Sequence, residues 1–445
     1  MASHLTIARK VLAVLPTGGG KSPLLCYVVS HEPGNVWVIA HRQELIFQLS
    51  DTLTLFGITH GIVRAGHPFQ PKQRVQVASV QTLVKRMHLL PTTTLIVVDE
   101  THHIVSPTYK KIIDANPQAQ VLGVTATPCR LNGQGLGEVF DHMVLGPTTR
   151  WLTDNGYLSP AEYYAPPQVA DTSNLHQRGG DFAKEEAEAV MNKPTVTGNA
   201  VEHYQRICDG VPMLVFCTSV QHAKDVADEY ISAGCRAASV DGSMSDEDRK
   251  DRIQGLGTGR YQVITSCDLI GEGLDVPLVG AVQLLRPTAS LGLYLQMVGR
   301  GLRVHESKLV TYVLDHVGNV RRHGFATTQH PWSLAGTVRS KKPKEAALRT
   351  CERCFLAHDP APCCPMCGYE YPKKEKALTR IENVGGELVR IEETKEERAV
   401  AMRDARSMVE LIAFAKSRGY KSPAFWARKV YGGRSYLGAM PLIPH

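Results

Sequence analysis

The chain has 445 residues, 43% of them hydrophobic, and 50 Lys and Arg against 43 Asp and Glu give a formal charge of +7. That length predicts two to four domains with substantial cores. No apolar run approaches the roughly 20 residues that would span a bilayer, and no secretory leader pattern opens the chain, so membrane-embedded and exported classes are not expected. A charge this modest permits a nucleic-acid partner without demanding one.

Val11–Leu15 reads as an apolar strand that runs into Pro16-Thr17-Gly18-Gly19-Gly20-Lys21-Ser22 and then a helix. In such a strand–loop–helix turn, glycines let backbone N–H groups face inward around phosphate oxygens. Lys21 can reach the terminal phosphates, Ser22 can hold Mg²⁺, and the helix would point its positive end at the anion. Leu15 stands where the general pattern has a glycine, so a purely structural turn is the alternative when the loop is taken alone. Val36–Ala40, Val75–Ser79, Leu95–Val98 and Gln120–Thr125 follow as strands, with helical stretches such as 42–56 between them. This alternation over 11–148 predicts a parallel sheet covered on both faces.

The strand at 95–98 ends in Asp99-Glu100-Thr101-His102. Acids at the carboxyl end of a buried parallel strand lie where α/β folds place ligands. Asp99 can hold Mg²⁺ through water, and Glu100 can orient or deprotonate an attacking water. Two acids after a strand are more often a helix cap, but the upstream phosphate loop favours the catalytic pair.

Residues 149–200 are broken by Pro160, Pro166, Pro167, Gly179 and Gly180 and read as a connector. A second set of strands follows at Met213–Cys217, Ala237–Val240, Tyr261–Thr265, Ala281–Leu285 and Leu309–Leu314. From 326 to 349 the chain turns polar and basic, with Arg339, Lys341, Lys342 and Lys344, as a linker would. The expected division is 1–148, 149–325, a linker over 326–349, a cysteine element at 350–372, and a tail over 373–445 with a helix near 395–418 stopped by Gly419.

Six of the 11 cysteines (Cys26, Cys129, Cys208, Cys217, Cys235 and Cys267) are scattered and read as reduced, packed thiols, while five crowd into 351–367. Clustering of this kind points to metal and to a reducing, cytoplasmic setting. Cys351-x2-Cys354 and Cys364-x2-Cys367 form two knuckles nine residues apart, the pattern of a closed tetrahedral structural Zn²⁺ site, and Gly368 permits the tight turn after the second. Cys363 is an alternative ligand or a free thiol; Cys364 is preferred because it alone gives the two-residue spacing to Cys367. Reduced surface thiols are the other reading.

The last 35 residues hold no Asp or Glu, and Lys416, Arg418, Lys421, Arg428, Lys429 and Arg434 alternate with Tyr420, Phe425, Trp426, Tyr431 and Tyr436. That pattern suits either contacts to the phosphates and bases of a single strand or a small helical lid with its aromatics packed inward.

The motifs have a fixed order. The phosphate loop, Asp99-Glu100-x-His102 and Thr125-Ala126-Thr127-Pro128 are followed by Gly271-Glu272-Gly273-Leu274-Asp275-Val276-Pro277 and by Gln296-Met297-Val298-Gly299-Arg300-Gly301-Leu302-Arg303. Over about 11–320 the chain resembles the superfamily 2 DEAD/DEAH-type helicases. With Arg286-Pro287-Thr288 and the downstream cysteines, it is most similar to RadD-type DNA helicases and their phage relatives. The resemblance implies an α/β fold of two tandem RecA-like P-loop domains with parallel sheets, followed by a small zinc ribbon and a helical tail. It implies that Thr17, Gly18, Gly19, Gly20, Lys21 and Ser22 bind the phosphates of ATP, that Asp99 and Glu100 handle Mg²⁺ and water, and that Arg300 and Arg303 act as arginine fingers. His102 would couple hydrolysis to movement through Thr125 and Thr127 or Gln296, and Gly273 and Asp275 would touch nucleotide and strand. His41, Arg42, Ser79, Gln81, Thr82, Thr125 and Thr127 would line the nucleic-acid path, reading backbone and not base.

The glutamine motif by which the family recognises adenine has no counterpart, since 14 residues precede Leu15 and the first glutamine is Gln43; adenine selectivity therefore finds no support in the sequence. The expected function is an ATP-dependent helicase or translocase on single-stranded or branched DNA, in repair, recombination or phage replication. A single-stranded-DNA-binding or replication and repair protein is the expected protein partner. A duplex translocase, an RNA helicase, or a nucleic-acid-binding protein with impaired ATPase are the alternatives.

Overall fold

The computed structural model describes residues 7–130, 133–165, 175–191, 194–267, 276–336, 348–372, 408–417, 422–424 and 427. The chain divides into two compact units, Met1–Pro372 and Lys373–His445.

In the first half, strands β1 (Lys10–Val14), β2 (Val36–Ala40), β3 (His60–Val63), β4 (Val75–Ser79), β5 (Leu95–Asp99), β6 (Gln120–Thr125) and β7 (His142–Leu145) form one sheet in the order β3-β4-β2-β5-β6-β1-β7. Every pairing is parallel. The central strands are almost continuous apolar runs because both their faces are covered. Helices α1 (Lys21–His31), α2 (Gln43–Leu55), α3 (Val80–Arg86) and α4 (Pro107–Asp114) supply the cover. Leu25, Val29, Ile46 and Leu53 pack on Val11, Val38 and Val97 on one side; Leu83, Tyr109 and Ile112 pack on Leu12, Ile39 and Ile96 on the other. Because all seven strands point the same way, the loops after β1, β2, β4, β5 and β6 emerge at one edge, and all the first-half motifs lie there.

The stretch read as a connector carries structure of its own. It holds α5 (Thr149–Asp154), β8 (Ala161–Tyr164), a two-stranded hairpin of β9 (Gln177–Arg178) and β10 (Asp181–Phe182), α6 (Lys184–Met191) and α7 (Pro194–Cys208). The second set of elements follows: β11 (Met213–Phe216), α8 (Val220–Ser232), β12 (Ala237–Val240), α9 (Asp246–Gly257), β13 (Val263–Ser266), β14 (Ala281–Leu284), α10 (Leu291–Gly299), β15 (Thr311–Asp315) and α11 (Asn319–His323). Local chemistry sets the helix starts: Ser219, Ser245 and Ser290 each accept a backbone N–H through the side-chain oxygen at the N-caps of α8, α9 and α10. On α8, His222, Ala223, Val226, Ala227 and Tyr230 make the buried stripe. The second sheet runs β12-β13-β11-β14-β15-β8 in parallel, with β8 beside β15. Pro160 hid β8 in the sequence, but it sits just before the strand, where its missing N–H costs nothing, and its carbonyl accepts from Thr311 N.

Two further segments depart from a simple linker-and-module reading. Within 326–336 the chain returns to the first sheet: Gly137 N donates to Leu334 O at 2.9 Å, Gln134 bridges Gly336, and Trp332 and Leu334 pack beside Leu136 and Phe140. Then β16 (Arg349–Thr350) and β17 (Leu356–His358), from the cysteine element, extend the second sheet, with β17 antiparallel to β8. In the second unit, α12 (Met408–Ser417) is the described helix, with Leu411 and Ala415 buried one turn apart. The tail cations and aromatics outside the described residues, and most of the helix expected at 395–418, are not placed. Among the described residues no helix is long and apolar enough to cross a membrane.

Candidate nucleotide and metal sites

The loop after β1 closes on itself through Gly19 N donating to Pro16 O at 2.9 Å. Gly18 and Gly20 take φ values of +77° and +87°, which only glycine adopts without strain, and Gly20 caps α1. A Cβ on Gly20 would meet nothing within 4 Å, so open space lies against the loop at the N-terminus of α1. Thr17 is 9% exposed, and its Oγ1 has no hydrogen-bond partner among the described residues. Glycine-lined space, Lys21 and the exposed Ser22 fit a triphosphate.

Across from the loop stands Glu100. Lys21 Nζ donates to Glu100 Oε1 at 2.7 Å, with both side chains largely buried. Glu100 has φ +47°, one of two non-glycine residues described with positive φ. A strained backbone of this kind persists where the surroundings over-determine it; here Glu100 N donates to Asp99 Oδ1 at 2.9 Å, and the next residue, Thr101, donates its hydroxyl to Val124 O on β6. His102 falls in the 3₁₀ turn Thr101–His103. Asp99 and Ser22 are the oxygen donors on either side that could hold Mg²⁺.

The second domain meets this edge through α10. A Cβ on Gly299 would lie 2.5 Å from Thr17 Cβ, and one on Gly292 would lie 3.0 Å from Thr127 Oγ1. Seven residues apart, the two glycines share one helix face, so α10 touches the phosphate loop and the 125–127 loop at once. Gln296, on the same helix, is 8% exposed. Arg300 caps α10 and is 6% exposed. Arg303 bridges Leu158, and its Cγ would lie 3.8 Å from a Cβ on Gly18. Arg303 therefore stands beside the loop that carries Lys21, and Arg300 follows Gly299 directly at the end of α10. Gly273 and Asp275 lie outside the described residues.

The expected nucleic-acid residues separate into two groups. His41, Arg42, Gln81 and Thr82 are exposed or half-buried, Gln81 Nε2 donates to His41 O at 3.5 Å, and Ser79 donates to Gln81 Oε1. Thr125 and Thr127 are 0% and 3% exposed, and Thr125 Oγ1 donates to Thr127 O. The structure brings those two to the inter-lobe contact beneath α10 and not to the exposed rim. Sequence reasoning missed His103, whose ring lies 4.0 Å from that of His41 and ties the 41–42 loop to the acid loop. It also missed the Gly292/Gly299 face, for which the seven-residue spacing was an available signal.

The four thiols of Cys351, Cys354, Cys364 and Cys367 lie within 4.8 Å of one another and could hold a metal ion. Cys351 and Cys367 Sγ are 3.6 Å apart, as are Cys354 and Cys364 Sγ. A tetrahedral Zn–S₄ centre with bonds of about 2.3 Å needs sulfurs about 3.8 Å apart, so the set fits zinc. Burial opposes ionisation of Cys351, but the backbone N–H groups of Cys354 and Arg353 and the adjacent thiols outweigh it and bring its pKa down to about 6. Cys363 is exposed and outside the cluster. Cys351 and Cys364 are buried among Tyr164 of β8, Leu314 of β15 and Leu356 of β17.

Residues 4–130 match the family model for the type III restriction enzyme res subunit, and residues 200–305 match the helicase conserved C-terminal domain. A 51.5 kDa protein of a Lactococcus phage is 31% identical over 368 residues, 81% of this chain and 78% of that protein. A Saccharomyces cerevisiae protein named as an ATP-dependent helicase, IRC3, is 27% identical over 335 residues; the match takes in 70% of this chain but 48% of the yeast protein. A fragment named as an HsdR subunit of a type I restriction enzyme from Vibrio vulnificus shares the fold with a TM-score of 0.56 at 19% identity, over 72% of this chain and 62% of that one.

Proposed function

The chain belongs to the superfamily 2 DEAD/DEAH-type helicases, and from that premise we propose that it couples ATP hydrolysis to movement along DNA, single-stranded or branched. The observation that carries the reading is the seating of α10 against both the phosphate loop and the 125–127 loop, through Gly299 on Thr17 and Gly292 on Thr127. Phosphoryl transfer needs positive charge around the γ-phosphate; a site with Lys21 on one lobe and Arg300 and Arg303 on the other has its full charge only when the lobes are together. Hydrolysis then depends on closure, and closure is what a nucleic-acid strand bridging the two lobes alters.

In this reading the backbone of 17–22 holds the phosphates and Lys21 balances their charge. Glu100, held rigidly by its neighbours, takes the proton of the attacking water. Mg²⁺, when bound, would neutralise phosphate charge beside Ser22 and Asp99. His41, Arg42, Gln81 and Thr82 form the rim offered to the DNA backbone. The match of 4–130 to the res subunit of type III restriction enzymes supports DNA over RNA, and phage replication or DNA repair is the setting a DNA translocase suits. The four-cysteine element holds structural zinc and secures β17 on β8.

A steady-state ATPase assay with single-stranded DNA, duplex DNA, branched DNA and RNA tests the reading. Stimulation by single-stranded or branched DNA supports it. Stimulation by RNA alone replaces DNA with RNA as the track, and an ATPase indifferent to every nucleic acid contradicts coupling.

A further inference from the structure

Beside the phosphate loop lies a cavity of about 260 Å³ whose lining does not include Lys21. Its lining includes Pro16 and Thr17 of the loop, Pro147 after β7, and Gln329, His330 and Trp332 from the segment that returns from the second domain to the first. The segment is fixed at its far end by Leu334 accepting from Gly137 N. The cavity thus has apolar and aromatic walls contributed by both lobes, with a few polar groups among them, as pockets for flat organic ligands do.

Two buried polar atoms on this lining have no hydrogen-bond partner among the described residues: Thr17 Oγ1 and His330 Nε2. Buried polar groups are normally satisfied, so two orphans on one cavity call for a ligand that brings donors and acceptors. Burial holds His330 below its ordinary pKa, leaving a neutral imidazole to donate or accept there. Gln329 is exposed and lines the same cavity. A side-chain amide pairs donor and acceptor with the N6 and N7 positions of adenine, and cannot do so with guanine, which presents two acceptors on that edge.

We propose that this cavity receives the adenine base of the nucleotide whose phosphates the 17–22 loop holds, with Gln329 and His330 reading its edge between Pro16, Pro147 and Trp332. The inference rests on the phosphate-loop reading above and adds the base to it. It places base recognition on a segment some 310 residues after the loop, as counted from Thr17 to Gln329, so that the segment returning from the second domain both joins the lobes and selects the nucleotide.

Competition binding to the full chain with ATP, GTP and inorganic tripolyphosphate tests it. The chain should bind ATP at least tenfold more tightly than GTP. Gln329→Ala, which removes both the donor and the acceptor, should weaken ATP about tenfold and erase the preference, and His330→Phe should weaken ATP while leaving tripolyphosphate affinity unchanged. Tripolyphosphate binding should be lost only with Lys21→Ala. Equal affinity for ATP and GTP in the unaltered chain, or an unchanged ATP-to-GTP ratio in Gln329→Ala and His330→Phe, would overturn the inference while leaving the phosphate loop standing. Tripolyphosphate binding indifferent to Lys21→Ala would overturn the loop reading, and the base pocket with it.

Discussion

Gly299 stands so close to Thr17 that a Cβ on the glycine would sit 2.5 Å from the threonine Cβ and 2.8 Å from its Cγ2. The contact joins a helix of the second domain to the phosphate loop of the first, and it leaves no room for a side chain. Gly299→Val should force the lobes apart and reduce nucleic-acid-stimulated ATPase at least a hundredfold, while each domain keeps its core. Circular dichroism would report an unchanged fold, and full activity in a folded Gly299→Val variant would contradict the contact.

The Lys21–Glu100 pair predicts two different defects. Lys21→Ala removes the charge that faces phosphate and should abolish both nucleotide binding and turnover. Glu100→Gln removes a base and should cut turnover by about 10²–10⁴, with ATP still bound. Equilibrium binding of a fluorescent ATP analogue beside a turnover assay separates the two; equal loss of binding in both variants would count against the roles assigned.

The cysteine element is expected to carry about one zinc per chain, read by elemental analysis. Cys364→Ser should lose the metal and lower the melting temperature by several degrees, because Cys364 and Cys351 are buried in the core shared with β8 and β15. Cys363→Ser should change neither, since that thiol is exposed and outside the cluster. Zinc loss in Cys363→Ser with retention in Cys364→Ser would reverse the ligand assignment.

Acid should weaken the second domain before it protonates most carboxylates. Burial holds His222 and His323 down to about 4 and His316 down to about 3. Below pH 6.5 the unfolded chain therefore binds protons that the folded chain refuses, and stability falls as pH drops from about 6.5 toward 4. Each histidine contributes a slope of about 1.4 kcal/mol per pH unit across that window. Denaturant unfolding at pH 7, 6 and 5 should show the loss, and His316→Gln should lessen the slope; a flat profile would contradict the buried neutral imidazoles.

The legible parts of this chain were those fixed by short-range chemistry. The central strands of both sheets were visible because parallel strands covered on both faces are continuous apolar runs, and Thr17 to Ser22, Asp99 and Glu100 follow such runs directly. The edge strand His60–Val63 and the strand Ala161–Tyr164 were not visible. The first has a mixed pattern, and the second sits among prolines that mark breaks when read locally. Tertiary pairing decided both. The return of 326–336 to the first sheet was hidden for another reason: its polar composition reads as linker, and only Trp332 and Leu334 anchor it. Thr125 and Thr127 were placed on the nucleic-acid path by their motif, but 0% and 3% exposure puts them under α10. Burial of a hydroxyl depends on the partner helix, which no spacing within the loop records.

The measurement that bears most directly on the account is the ATPase rate of Arg303→Ala and Lys21→Ala beside the unaltered chain, with and without single-stranded DNA. If one triphosphate lies between the two lobes, the unaltered chain is stimulated by DNA and both variants lose that stimulated rate by at least 10³. A DNA-stimulated rate that survives Arg303→Ala would mean that the second lobe takes no part in the chemistry, contradicting a triphosphate held between the lobes.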